Sequence, residues 1–213
     1  MKKERKKLTM ESNKKIMLNV FSGLLLFLIA CGNNSNNQNE ITINQVSDTY
    51  KNNQDSIIGR SVNFYTQNKN CSQIAKNYYA GKFNPSDNDS TTELLNLSLT
   101  SDTLLRPFYF WCLDNVIREA DGALMEYVGI PARKYIEKYP TEFFKYISSK
   151  QFFENKNNWV TAINYSGYYD YESTDNKKEA LRNFVTATTK SCFKCTVQQK
   201  TEIKSFAKEC FSE

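Results

Sequence analysis

Six cysteines and no histidine bound the chemistry open to this 213-residue chain. Cys192-Phe193-Lys194-Cys195 has the spacing of a dithiol redox pair, and Cys195 stands just before a predicted helix N-terminus, whose dipole would stabilise a thiolate. A plainer reading is favoured. Both cysteines continue the apolar stripe of Leu181, Phe184 and Val185, where small hydrophobes are expected, and no βαβ pattern precedes them. A zinc site built from thiolates would need a second CxxC, which the sequence lacks. The absence of histidine excludes Ser-His-Asp and Cys-His nucleophiles and histidine-ligated metals. Glu119, Asp121 and Glu126 gather around Gly122 and could in principle converge as an acid pair or cation site, but their spacing fits neither an EF-hand nor a two-histidine motif, so solvated helix ends are the favoured reading. With seven glycines in the chain and no GxGxxG, GxxxxGK[ST] or GxSxG pattern, phosphate-cradling loops are scarce. No catalytic residue, metal or cofactor is therefore assigned.

The cysteine that does carry an assignment is Cys31. A basic segment with Lys2, Lys3, Arg5, Lys6, Lys7, Lys14 and Lys15 precedes an apolar run, Val20 to Ala30, of eleven residues. That is about half the ~20 needed to span a bilayer, so a cleaved secretory leader is expected rather than a permanent span. Leu28-Ile29-Ala30-Cys31 resembles the lipobox of bacterial lipoproteins. The resemblance covers only the leader, and it implies cleavage after Ala30, a diacylglyceryl thioether on Cys31 and an acylated new N-terminus, such as palmitate would supply. Two or more acyl chains anchor stably where one is marginal. The n-region is long, and Met10 is an alternative start to Met1. The implied location is the bacterial cell envelope, at the outer membrane or the outer face of the plasma membrane.

The net charge of +5 belongs to the leader. Residues 1–31 hold seven of the 28 basic and two of the 23 acidic side chains, which leaves 21 of each beyond Cys31. No basic excess remains to neutralise phosphates, so nucleic acid is not expected as a partner.

Five cysteines follow Cys31, an odd number that leaves at least one thiol unpaired in an oxidising compartment. If Thr196 caps the last helix, Cys210 lies about 21 Å further along its axis than Thr196, beyond the ~7 Å that a disulfide tolerates between Cα atoms. Cys195 and Cys210 then cannot bond. A local Cys192–Cys195 link, or thiols in close approach, is expected, with Cys71–Cys112 as the long-range candidate. Cys192-x-Lys194-Cys195-Thr196-x-x-Gln199-Lys200 also resembles a segment of the insect chemosensory proteins. Those are small helical carriers of apolar ligands in which this CxxC closes on itself; their other paired cysteines have no counterpart here.

The elements that must position these residues are helices. Residues 31–54, rich in Asn, Gln and Ser, read as a flexible tether between a 1–30 signal peptide and a 55–213 domain. From Ile57 onward helical spacing dominates: Ile58, Val62 and Tyr65, then Cys71, Ile74, Ala75 and Tyr78. Ser90-Thr91-Thr92-Glu93 has the capping-box pattern, and Pro107 suits the first position of a helix over 108–120. That helix is apolar nearly all round from Phe108 to Leu113 and is expected to be central and buried. Gly122 should end it, a short helix should stop at Gly129, and Pro131 should start another that ends at Pro140. Further stripes cover Phe143 to Ile147, Trp159 to Ile163 and Lys177 to Cys195, and Thr196 with Gln199 forms a second capping box.

Period-2 alternation is scarce after Ile43. The expected fold is all-α, a helical bundle or an irregular helical-hairpin stack of roughly seven or eight helices. Twelve aromatics lie between Tyr135 and Tyr171, most of them expected in the core. The exception is Tyr168-Tyr169-Asp170-Tyr171, which lacks a helical period and is the candidate recognition surface. The expected function is a non-enzymatic binding or scaffolding domain held at the membrane through Cys31, with an envelope protein as partner. A carrier of a small apolar ligand, or a glycan-binding module, is the alternative, and a thiol oxidoreductase using Cys192 and Cys195 the third class.

Overall fold

The computed structural model describes residues 55–170 and 176–211, and within them the fold is all-α. Nine α-helices occur among these residues: α1 Val62–Thr66, α2 Gln73–Tyr79, α3 Asp89–Asn96, α4 Arg106–Glu119, α5 Gly122–Lys138, α6 Pro140–Ile147, α7 Lys156–Ser166, α8 Lys177–Ser191 and α9 Val197–Phe211. The Cys31 lipobox, the tether and Tyr171 lie outside the described residues.

The start differs from the expected helix. Ser56–Ile57 (β1) and Arg60–Ser61 (β2) pair as a minimal antiparallel hairpin. Its two turn residues, Ile58 and Gly59, have φ values of 47° and 77°, the left-handed pair that a tight hairpin turn demands. Gly59 takes that conformation freely, whereas the β-branched Ile58 is strained in it. Ile57 is fully buried, and its carbonyl accepts the Tyr65 hydroxyl at 3.0 Å.

Capping also departs in one place. Asn88, in extended backbone, accepts the Thr91 N–H at 2.9 Å and opens α3, which puts Ser90 inside the first turn instead of at its boundary. At the other end of the chain the capping box forms as the sequence predicts. Thr196 Oγ1 accepts Gln199 N–H at 3.2 Å, and Gln199 Oε1 accepts Thr196 N–H at 2.9 Å.

The central element is α4. Phe108 to Ile117 are all buried, including the polar pair Asp114 and Asn115, and Pro107 sits in the first turn where its missing N–H costs nothing. Phe110 contacts the rings of Tyr135, Tyr146, Phe152 and Trp159, with centroids 5.0–5.5 Å apart, so one side chain joins α4 to several other parts of the core.

One continuous helix, α5, replaces the two expected around Gly129 and Pro131. Gly129 N–H donates to Ser166 Oγ at 3.1 Å, and that hydroxyl donates to Met125 O at 2.7 Å. In a regular turn Gly129 N–H and Met125 O would bond each other. A serine from α7 is inserted into the ladder two residues before the proline, and it satisfies both groups where the helix is loosened. This insertion is possible because Gly129 lacks a side chain: a Cβ there would collide with Ser166 Oγ and Ala162 O and lie 2.5 Å from Gly167 N.

The last two described helices form a hairpin. α8 packs against α9, with Phe184, Phe206 and Phe211 in contact and Phe206 also touching Phe143 and Phe144 of α6.

Candidate functional site

The cysteines separate into two kinds. Cys192 and Cys195 form a disulfide, with Cα atoms 5.2 Å apart, in the turn between α8 and α9. Cys192 is the buried end. Cys195 is half-buried, 3.6 Å from Thr141 Oγ1 of α6. Cys71 and Cys112 are not bridged, which corrects the expected second pair. Cys71 Sγ lies 3.9 Å from the carbonyl of Ser72, and Cys112 is fully buried within α4. Burial pushes both thiols upward, Cys112 far more strongly, and Cys210 is raised for the same reason. Thiols so raised stay protonated at neutral pH and behave as small hydrophobes.

The candidate recognition surface divides as well. Tyr168 is buried; its hydroxyl donates to Ala180 O at 3.1 Å, and its ring meets Phe211 edge-on. It belongs to the core because it fills the junction of α7, α8 and α9. Tyr169 is exposed, and Tyr165, one turn earlier, is exposed beside it with ring centroids 6.3 Å apart. The surface aromatic pair is therefore Tyr165 and Tyr169. Asp170 is occupied by Arg133, whose Nη2 reaches both carboxylate oxygens at 2.8 Å, and by Lys134 Nζ at 3.2 Å.

Arg133 is nearly inaccessible, at 2 % exposure, and also meets Glu137 at 3.3 Å. Burial raises the Glu137 carboxyl, with Arg133 opposing that shift. A second pair ties α4 to α6: Arg106 Nε donates to Glu142 Oε2 at 2.9 Å and Nη2 to Oε1, while the guanidinium lies 3.9 Å from the Tyr139 ring centre. Both pairs join structural elements: Arg106–Glu142 links α4 to α6, and Arg133–Asp170 links α5 to the segment after α7.

A third polar cluster was missed by the sequence reading. Asp114 accepts Trp159 Nε1–H at 2.8 Å and Asn155 Nδ2–H at 2.5 Å, deep between α4 and α7. Burial pushes its carboxyl up from 3.8 to about 6, against the pull of those two hydrogen bonds. Its signal was present as Asp114-Asn115 interrupting an otherwise apolar helix.

Glu119 ends α4, Asp121 precedes α5 and Glu126 lies on its second turn. Glu119 is 3.6 Å from Arg118 Nη2. Among the described residues no group of three or more His, Cys, Asp or Glu converges to hold a metal ion, and no helix is long and apolar enough to cross a membrane.

Two concavities stand out among the described residues. An open groove of about 420 Å³ between α1 and α2 is walled by Asn63, Gln73, Lys76, Asn77 and Tyr79. A smaller one of about 230 Å³ is lined by Phe144, Phe206 and Phe153. The larger is polar and open, and the apolar one is smaller than the several hundred cubic ångströms usual for a ligand pocket. Neither is the closed apolar cavity that a carrier would need.

No family model, curated protein or solved structure matches this chain.

Proposed function

We propose that this chain is a lipid-anchored protein of the bacterial envelope whose helical domain binds or scaffolds a partner rather than catalysing a reaction. One observation carries the reading: Leu28-Ile29-Ala30-Cys31 in register behind a basic segment and an eleven-residue apolar run. Residues 31–54 then act as the tether, and 55–213 as the domain that meets other molecules at the membrane surface. The exposed Tyr165–Tyr169 pair supports a binding role, since aromatic side chains with a polar tip suit partner surfaces and sugar rings alike. The amide-rich groove beside Tyr79 favours a polar small ligand over an apolar one.

The test is acylation in the producing cell. Cells fed a labelled long-chain fatty acid should label the parent chain and a Cys71→Ser variant, and leave Cys31→Ser unlabelled. Equal labelling of all three would refute the anchor.

A further inference from the structure

The turn joining α8 to α9 presents the most exposed large hydrophobic side chains among the described residues, Phe193 at 80 % and Val197 at 84 %. A pliable loop could fold such groups away from water. Here the backbone holds them out. The disulfide closes the turn, buried Cys192 pins one end to the core, Cys195 N–H donates to Cys192 O at 3.0 Å, and the Thr196–Gln199 box fixes the start of α9.

The charge around the turn has one sign. Between Glu179 and Glu202 the chain contains no carboxylate but carries Arg182, Lys190, Lys194 and Lys200. Lys190, Lys194 and Lys200 are all exposed, and Lys194 Nζ lies 5.5 Å from the Phe193 ring centre. Glu202, the nearest acid along the chain, accepts the Gln198 side-chain amide at 3.2 Å. From α6, the residue facing Cys195 is the uncharged Thr141.

We propose that this disulfide-closed tip is a contact for an anionic lipid bilayer, with Phe193 and Val197 seated at the headgroup–acyl boundary and Lys190, Lys194 and Lys200 against the headgroups. Two apolar side chains on a convex turn fall far short of the ~800 Å² per partner that a stable protein interface buries. A bilayer needs no complementary pocket; it takes an apolar wedge flanked by cations. Each lysine near an anionic surface strengthens attachment by roughly fivefold, and the effect fades with salt. The tip would thereby orient the domain on the surface that holds it. This goes beyond the anchor on Cys31, and it rests on that reading only for bringing the tip near a membrane.

The test places a reporter at the tip of the full chain. Phe193→Trp is reconstituted with an excess of vesicles of phosphatidylcholine alone or with phosphatidylglycerol added as the anionic lipid, each with brominated acyl chains. The parent chain supplies the background from Trp111 and Trp159, both buried. With anionic vesicles the emission of the introduced indole should shift to the blue and be quenched by the bromines, and iodide in the water should lose access to it. Replacing Lys190, Lys194 and Lys200 by Gln should weaken that contact by roughly a hundredfold at low salt, about fivefold for each lysine. An indole that stays open to iodide and untouched by the bromines in anionic vesicles overturns the proposal, as does equal insertion into phosphatidylcholine alone. A protein partner at the tip would give that wet result with vesicles. Failure of the anchor reads differently: a chain without lipid on Cys31 still shows insertion of the Phe193→Trp reporter with excess anionic vesicles if the tip binds.

Discussion

Replacing Asp114 by Asn isolates the electrostatic cost of the carboxylate buried beneath Trp159. Asp114 is 1 % exposed, so water screens its charge little. In the folded chain its carboxyl sits at about 6 against an ordinary 3.8. At 1.36 kcal/mol for each tenfold change in proton affinity, that difference is about 3 kcal/mol. Because the folded value is the higher one, the folded state binds the proton more tightly, and stability from this group is complete below about pH 3.8 and is lost as pH rises through about 6. The replacement amide cannot ionise, yet it keeps an acceptor for Trp159 Nε1 and can bond Asn155 if that side chain flips. Urea unfolding followed by tryptophan emission, at several pH values between about 3.5 and 7.5, gives the curve for each chain. Parent minus variant should fall by about 3 kcal/mol across that window, with Glu137 and the other carboxyls cancelling in the difference. Superposable pH profiles would refute the reasoning, because they would mean that burial leaves this carboxyl where an exposed one would be.

Gly129→Ala tests the inserted serine. In an exposed helix the change would stabilise by up to about 1 kcal/mol, whereas here the added Cβ meets two backbone groups, so a loss of about 3 kcal/mol in urea unfolding is expected. Trp111→Ala should cost about 3–5 kcal/mol, since its ring is 3 % exposed and stacked on Phe108 at 6.0 Å; an unchanged melting temperature would show the core is elsewhere. Cys71, Cys112 and Cys210 should resist a thiolate-selective reagent near neutral pH in the native chain and react only in urea, because burial raises all three. Rapid native labelling of any of them would contradict that packing.

The helical architecture was legible because apolar spacing survives in the long elements: Phe108 to Leu113 reads as buried all round and is, and Thr196 with Gln199 reads as a capping box and forms one. What escaped depends mostly on contacts distant in sequence. Pro131 reads locally as a helix start, yet Ser166, 37 residues from Gly129, supplies the hydrogen bonds that carry α5 through. Tyr168 reads as surface because its own neighbours are polar, but α8 and α9 close over it. Ser90 reads as a cap until Asn88, two residues earlier and extended, takes the role. The exposed tip was hidden by its cysteines, which extend the apolar stripe of α8 while Phe193 between them points to solvent.

The claim on which the functional account stands is covalent, and mass spectrometry of the chain purified from membranes tests it most directly. The account predicts an N-terminal peptide that begins at Cys31 and carries the mass of a diacylglyceryl group plus an amide-linked acyl chain. A peptide with a free Cys31 thiol, or one still joined to Ala30 and the leader, would contradict it.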